Sequence, residues 1–329
     1  MERQGTTLRD ADGSAGQSAA AREGKAVGRS AFADPVNFIL ALRPRQWVKN
    51  GLIFLALVFS IERAWHPLEV DEWWPLLWRA GLAFVVFCAI SGAGYLINDM
   101  RDVEADRLHP RKRLRPLAAG KLSPDVAVAG AALLSIGGLS AAYLINLNFA
   151  AIAMCYFVIT LTYSYYLKHV VLIDMMTIAA GFVLRALAGA VAIEVPISPW
   201  LYLCTMLGAL FLVINKRRAE LSSVDDPASH RPTLGEYTLG LLDQMSAVVT
   251  SATILAYALY TFSSDNLPDN DAMAFTIPFV IYGLFRYLYL VHKHELGGSP
   301  EEVLLRDRPM AVNITAWLLV SAALLIMYR

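Results

Sequence analysis

Three observations predict an all-α, polytopic membrane protein with nine transmembrane helices. Hydrophobic residues make up 57% of the 329 and charged residues only 17%, with a mean hydropathy of +0.47, a balance too apolar for an ordinary soluble domain. The apolar residues gather into runs near the ~20 residues that a helix needs to cross a bilayer. Lys and Arg concentrate in alternate loops between those runs. The formal net charge of zero says nothing by itself about partners, and no nucleic-acid partner is expected. Cys88, Cys155 and Cys204 lie inside apolar runs at unrelated spacings, as buried small hydrophobes do, and unlike a disulfide framework or a zinc site.

Residues 1–33, rich in Ala, Gly, Ser, Arg and Glu, are expected to be a disordered cytoplasmic tail ahead of one membrane domain over 34–329. No compact apolar run marks a signal peptide there, and Glu2, Asp10 and Glu23 argue against a transit peptide. Asp34-Pro35 supplies an N-cap and a first-turn proline for an opening helix that carries RPRQWVKN, Arg43 to Asn50, ahead of the apolar run Gly51 to Ile61. Further spans are expected at 76–97, 125–145, 149–167, 171–193, 199–214, 242–262, 274–291 and 310–328, with Ser123-Pro124 and Ser198-Pro199 as two of the starts. The loop after the second span holds Arg101, Arg107, Arg111, Lys112, Arg113, Arg115 and Lys121. Those after the fourth, sixth and eighth hold Lys168, then Lys216, Arg217, Arg218 and Arg231, then Lys293, Arg306 and Arg308. The opposite loops hold almost none, and 263–273 is acidic. The positive-inside rule therefore predicts a multi-pass protein of the inner, cytoplasmic membrane, with its N-terminus and all four basic loops in the cytoplasm and its C-terminus outside.

One stretch is polar out of proportion to its place: YLINDMRDVEADRLHPRKRLRPLAAG, Tyr95 to Gly120. With the second helix continued through Asp106, Asn98, Asp99, Asp102 and Asp106 fall on or beside one helical face. Like charges at that spacing repel by roughly a few tenths of a kcal/mol per pair on a solvated helix. Three crowded carboxylates at a membrane edge are most easily tolerated around a divalent cation, and hard oxygen ligands favour Mg²⁺. Arg111, Lys112, Arg113 and Arg115 sit between Pro110 and Pro116, which interrupt the helix and let the basic side chains turn back towards the carboxylates. A basic loop alone would be an ordinary cytoplasmic loop; beside a carboxylate cluster it makes a phosphate or diphosphate site.

Inside the membrane, Asp174 and Arg185 lie eleven residues apart on the fifth span, hence on one face. Arg185 costs roughly 2.5–3.5 kcal/mol at a helix centre and so should face the bundle interior with a partner, either a bound phosphate or a carboxylate from elsewhere than Asp174. Tyr163, Lys168 and Arg286 are candidates for the same cavity or for the interface belt. Ser299-Pro300-Glu301-Glu302 reads as a capping box for a short helix ending before Pro309, either a lid or a surface turn.

The stretch Asn98 to Asp106, N-D-x-x-D-x-x-x-D, resembles the first aspartate motif of the UbiA superfamily of intramembrane prenyltransferases. RPRQWVKN at 43–50, the run at 95–120, YLKH at 166–169, KRRAEL at 216–221 and LRDR at 305–308 are similar to one branch of that superfamily, whose members use phosphoribosyl pyrophosphate as donor and a polyprenyl (decaprenyl-type) monophosphate as acceptor. The resemblance implies a UbiA-type nine-helix bundle with cytoplasmic polar loops, and a Mg²⁺-dependent phosphoribosyltransferase that makes a lipid precursor for cell-wall arabinan. It implies that Asp99, Asp102 and Asp106 bind Mg²⁺ on the leaving pyrophosphate, with Asn98 steadying them. Arg111, Lys112 and Arg113 would hold donor phosphates. Lys49, Tyr163, Lys168, Arg185, Lys216, Arg217 and Glu220 would complete the substrate site, the division between acceptor phosphate and donor 5-phosphate left open. A homo-oligomer is compatible with this reading. In the wider superfamily the second motif carries another D-x-x-x-D, whereas here Asn215, Lys216 and Arg217 leave only Glu220. That inventory suits one Mg-diphosphate and one separate phosphate monoester better than a prenyl diphosphate with an aromatic acceptor, the alternative reaction of the same fold. A transporter would account for the helices and Arg185 but not for three aspartates at helical spacing.

Overall fold

The computed structural model describes residues 35–109, 112–196, 198–223, 232–263, 267–268, 270–294, 303 and 306–328. The expected tail over 1–33, Arg111 and the capping box at 299–302 lie outside the described residues. In chain order the helices are α1 (Pro35–Ala41), α2 (Leu55–Phe59), α3 (Val70–Arg101), α4 (Val103–Leu108), α5 (Pro124–Ile145), α6 (Leu147–Tyr165), α7 (Ile173–Ala192), α8 (Pro199–Ser222), α9 (Leu239–Ser263), α10 (Ile277–His294) and α11 (Arg308–Tyr328), with no β-strand among the described residues.

Seven of the described segments are long and apolar enough to cross a membrane: α3, α5, α6, α7, α9, α11, and α10 together with the 3-10 turn that leads into it. Helix α8 runs for 24 residues. The first expected span is not one helix. Between α1 and α2 the chain runs as a 3-10 stretch, Pro44–Phe54. Proline removes a backbone N–H and disfavours the α region in the residue before it, and Arg43 takes φ 55°, ψ 64°. The expectation of nine continuous helices is corrected to that extent.

The 3-10 stretch is locked in place by close approach. A Cβ on Gly189 of α7 would lie 2.0 Å from the Ile53 carbonyl oxygen, so only glycine lets the two backbones meet there. Ile53, Phe87, Phe149 and Tyr156 are buried together where this stretch meets α3, α6 and α7. Helix α3 packs along α5, and α8 packs between α7 and α9. Where capping was expected, Ser123 accepts from Val126 N at 3.3 Å ahead of Pro124, whereas Ser198 makes no side-chain cap bond and Pro199 alone marks the start of α8.

Candidate active site

Helix α3 was expected to continue through Asp106. It breaks at Asp102, which adopts φ −94°, ψ 9°, while Asp102 N still donates to Asn98 O (3.0 Å) and Asp106 N to Asp102 O (2.8 Å). The result is a bend, and it parts the aspartates. Asp99 and Asp106 are buried and share one donor, Arg115 Nη1, at 3.1 and 2.5 Å. Asp99 also accepts from Arg43 Nη2. Asp102, more exposed, accepts from Lys168 Nζ through both oxygens, at 2.8 and 3.0 Å. Carboxylate and amide oxygens are hard donors of the kind Mg²⁺ takes, but in this structure the oxygens of Asp99, Asp102 and Asp106 do not gather within 4.8 Å of one another.

Arg115 turns back to the carboxylates as expected of the basic loop, though it was not placed among the substrate-binding residues, and Arg43 was not singled out at all. The signal was present for both: Arg43 precedes a proline in the RPRQWVKN stretch, and Arg115 precedes Pro116 in the basic loop. Lys112 and Arg113 form the 3-10 turn Lys112–Leu114, with Arg113 exposed.

A cavity of about 700 Å³ lies among α3, α6, α7, α8, α9, α10, α11 and the 3-10 stretch. Arg43, Gln46, Lys49, Tyr163 and Lys216 line its polar end; Phe59, Trp200, Tyr257, Tyr260 and Trp317 line its far, apolar end. Lys216 and Trp200 lie sixteen residues apart on α8, about 24 Å along the helix. Arg185 borders the cavity between the two ends. It is 5% exposed and donates to Asn50 Oδ1 (2.7 Å), the Gly181 carbonyl (2.8 Å) and Tyr156 OH (2.6 Å), with the Tyr156 ring 4.7 Å from its guanidinium. Of the two partners expected for Arg185, the carboxylate is corrected: neutral acceptors hold it, and no carboxylate does so among the described residues.

Lys216 and Arg217, expected as a pair, part company. Lys216 faces the cavity. Arg217 is 1% exposed and bridges two carboxylates, Asp174 Oδ2 at 3.1 Å and Glu220 Oε2 at 2.6 Å. Asp174, wholly buried, also accepts from Tyr237 OH at 3.2 Å, and burial raises the pKa of that phenol. Arg217 thus ties α8 to α7. Asn215, also wholly buried, donates to Phe211 O (2.8 Å) and Ser246 Oγ (2.9 Å). Arg286 is held by Asp307 at 3.2 and 2.9 Å and is not part of the cavity wall.

Sequence reading missed a second acidic cluster. His66, Glu69 and Glu72 stand together at the opposite end of α3, with His66 Nδ1 2.8 Å from Glu72 Oε2. Largely solvated and about 45 Å along α3 from Asp102, they are remote from the aspartates, although Trp65 beside them packs with Phe59, Trp200 and Trp317 of the cavity's far end.

Comparison with known proteins follows the same lines. The model of the UbiA prenyltransferase family matches residues 53–301. The decaprenyl-phosphate phosphoribosyltransferase of Mycolicibacterium smegmatis is 36% identical over 290 residues, covering 85% of this chain and 89% of its own. The protein of that name from Mycobacterium tuberculosis is 36% identical over 281 residues, covering 85% and 91%. A solved UbiA homolog from Archaeoglobus fulgidus, bound to GPP and Mg²⁺, has the same fold at a TM-score of 0.67 and 18% identity, covering 88% of this chain and 99% of its own.

Proposed function

The chain belongs to the UbiA prenyltransferase family, and from that premise we propose that it transfers the 5-phosphoribosyl group of phosphoribosyl pyrophosphate to a polyprenyl phosphate of decaprenyl type, releasing pyrophosphate. One observation carries the reading: Asp99, which shares Arg115 with Asp106, is joined through Arg43 to a cavity with cations at one end and an aromatic, apolar lining at the other. The cationic end suits phosphate oxygens; the apolar end, within the membrane, suits a polyprenyl chain.

In this reading the acceptor enters from the bilayer with its chain between the helices and its phosphate held by Lys49, Lys216 and Tyr163. Asp99, Asp102 and Asp106, with Asn98 beside them, hold Mg²⁺, which neutralises charge on the leaving pyrophosphate. Lys112 and Arg113, with Arg111, hold donor phosphates, and Lys168 passes from Asp102 to a phosphate oxygen. An oxygen of the lipid phosphate attacks the anomeric carbon of the ribose as the bond to pyrophosphate breaks. A phosphate monoester is ionised at neutral pH, its second pKa near ~6, so the step needs no strong base. Catalysis rests on positioning and on charge stabilisation. Arg185 supplies a fixed positive charge to the cavity wall, while Arg217 and Glu220 set the position of Lys216 from behind. The N-terminus and the aspartate cluster face the cytoplasm of a multi-pass inner-membrane protein.

The test is direct. Purified protein, Mg²⁺ and decaprenyl phosphate with labelled phosphoribosyl pyrophosphate should carry label into the organic phase. Transfer of a prenyl group from a prenyl diphosphate to an aromatic acceptor, with no ribose transfer, would overturn the reading.

A further inference from the structure

Two aspartates of the cluster are held by arginines from outside it. Arg115 Nη1 donates to Asp99 Oδ1 (3.1 Å) and Asp106 Oδ2 (2.5 Å), and Arg43 Nη2 donates to the same Asp99 oxygen. The Asp99 and Asp106 side chains are only 2% and 4% exposed, so guanidinium groups rather than water balance their charge. A lone pair that accepts from a guanidinium cannot at the same time ligate a cation. Asp99 Oδ1 accepts from both arginines and has no lone pair left, so a metal ligated by that oxygen must displace a guanidinium, and a cation brought to the neighbouring carboxylate oxygens is repelled by both.

The arginines have somewhere to go. A pocket of about 330 Å³, lined by Asn37, Arg43, Asp99, Arg115 and Lys121, adjoins the cluster, and Arg43 also lines the large cavity. Arg43 is the wall that the two spaces share, in a left-handed backbone conformation (φ 55°) that non-glycine residues rarely adopt. A diphosphate entering beside Asp99 would offer both guanidinium groups anionic oxygen acceptors that can be gripped two at a time, as the carboxylates they leave can be.

We propose that Arg43 and Arg115 are exchange partners: they hold Asp99 and Asp106 as internal counter-cations, release those oxygens to Mg²⁺, and pass to the phosphate oxygens of the arriving diphosphate. This deepens the proposed function and rests on its assignment of Asp99 and Asp106 as metal ligands. The exchange couples the two bindings. Metal alone displaces or is repelled by cations that gain nothing in return, whereas a diphosphate arriving with it gives the arginines new anionic partners. Both arginines hold the aspartates before binding and contact the substrate after it.

The experiment is a Mn²⁺ titration of the purified full-length protein, read by loss of the free-ion paramagnetic signal, without donor. Arg115→Gln and Arg43→Gln should bind Mn²⁺ roughly tenfold more tightly than the parent, the scale set by removing one competing charge-assisted hydrogen bond. Arg115→Lys, which keeps the charge and loses the fork, should fall between. With phosphoribosyl pyrophosphate present, the two Gln variants should show a raised donor KM. Should one Gln variant fail to fold, the other and Arg115→Lys carry the comparison. Unchanged or weaker Mn²⁺ affinity in the Gln variants would overturn the exchange while leaving the transfer reaction standing. Mn²⁺ binding that survives Asp99→Asn would instead overturn the metal assignment beneath it.

Discussion

At the scale of single residues, the aspartates and the buried arginine make opposite predictions although all are charged. Asp102 is 28% exposed and holds Lys168, 15% exposed, and Asn keeps an oxygen acceptor for that ammonium, so Asp102→Asn should cost only about 1–2 kcal/mol of stability. On the proposed metal assignment it removes a ligand charge, and turnover should fall by about two orders of magnitude or more with thermal stability only slightly lowered. Near-parental activity would exclude Asp102 from the metal site. Arg217→Ala is the converse. With Asp174 wholly buried beneath it, the variant leaves an uncompensated carboxylate and should lose roughly 3–5 kcal/mol. The loss should show as a lowered unfolding midpoint and a reduced folded fraction. A variant of normal stability with only a raised KM would restore Arg217 as a direct phosphate ligand. From sequence, Lys216 and Arg217 looked alike because helical spacing says which residues are neighbours and not which one finds a carboxylate on the next helix.

At the scale of elements, the opening segment owes its shape to two short-range causes, Pro44 and Gly189. The Cβ of Gly189→Ala would meet the Ile53 carbonyl at 2.0 Å, and backbone cannot yield as a flexible side chain can. The variant should lose several kcal/mol, about 3 or more, or fail to fold. Normal accumulation and thermal stability of Gly189→Ala would show that the 3-10 stretch is not held there. The other end of α3 carries a pH dependence. Hydrogen bonding to Glu72 raises the His66 pKa above 6.5, so the contact is fully present below about that pH and is lost as pH rises through the raised value. Backbone exchange around residues 62–69, corrected for its intrinsic rate, should quicken over that rise, and His66→Gln should abolish the step. An unchanged protection factor from pH 6 to 9 in the parent would remove the switch.

At the scale of the whole molecule, the bundle places a polar cluster at one end of a long cavity. Gly208 lines that cavity, and a Cβ there would meet nothing within 4 Å. Gly208→Phe should therefore leave folding unharmed while occupying space meant for the lipid chain. Its kcat/KM should fall about tenfold or more for decaprenyl phosphate and less for a short-chain polyprenyl phosphate, with donor KM unchanged. Equal losses for both acceptors would place the chain elsewhere. In a Cys155→Ala background, cysteines at Arg113 and Ser223 should react from the cytoplasmic side only, and one at Asn270 from the outside only. Labelling of Arg113 and Ser223 positions from opposite faces would end the shared-site picture.

The sequence alone determined the class of fold and the chemistry available, because both depend on composition and local period. Apolar runs near bilayer length set the spanning segments, and Asn98, Asp99, Asp102 and Asp106 marked a candidate site at the end of one of them. Pro44 was equally visible, yet it did not tell how far the 3-10 stretch would run, since that was settled by the fit of Ile53 against Gly189. The division of labour among the cations was decided only in three dimensions. Arg43 meets Asp99 across 56 positions, Lys168 meets Asp102 across 66, and Arg185 reaches Asn50 across 135. Pairings at such separations follow from which helices pack side by side, and no local pattern in the chain encodes them.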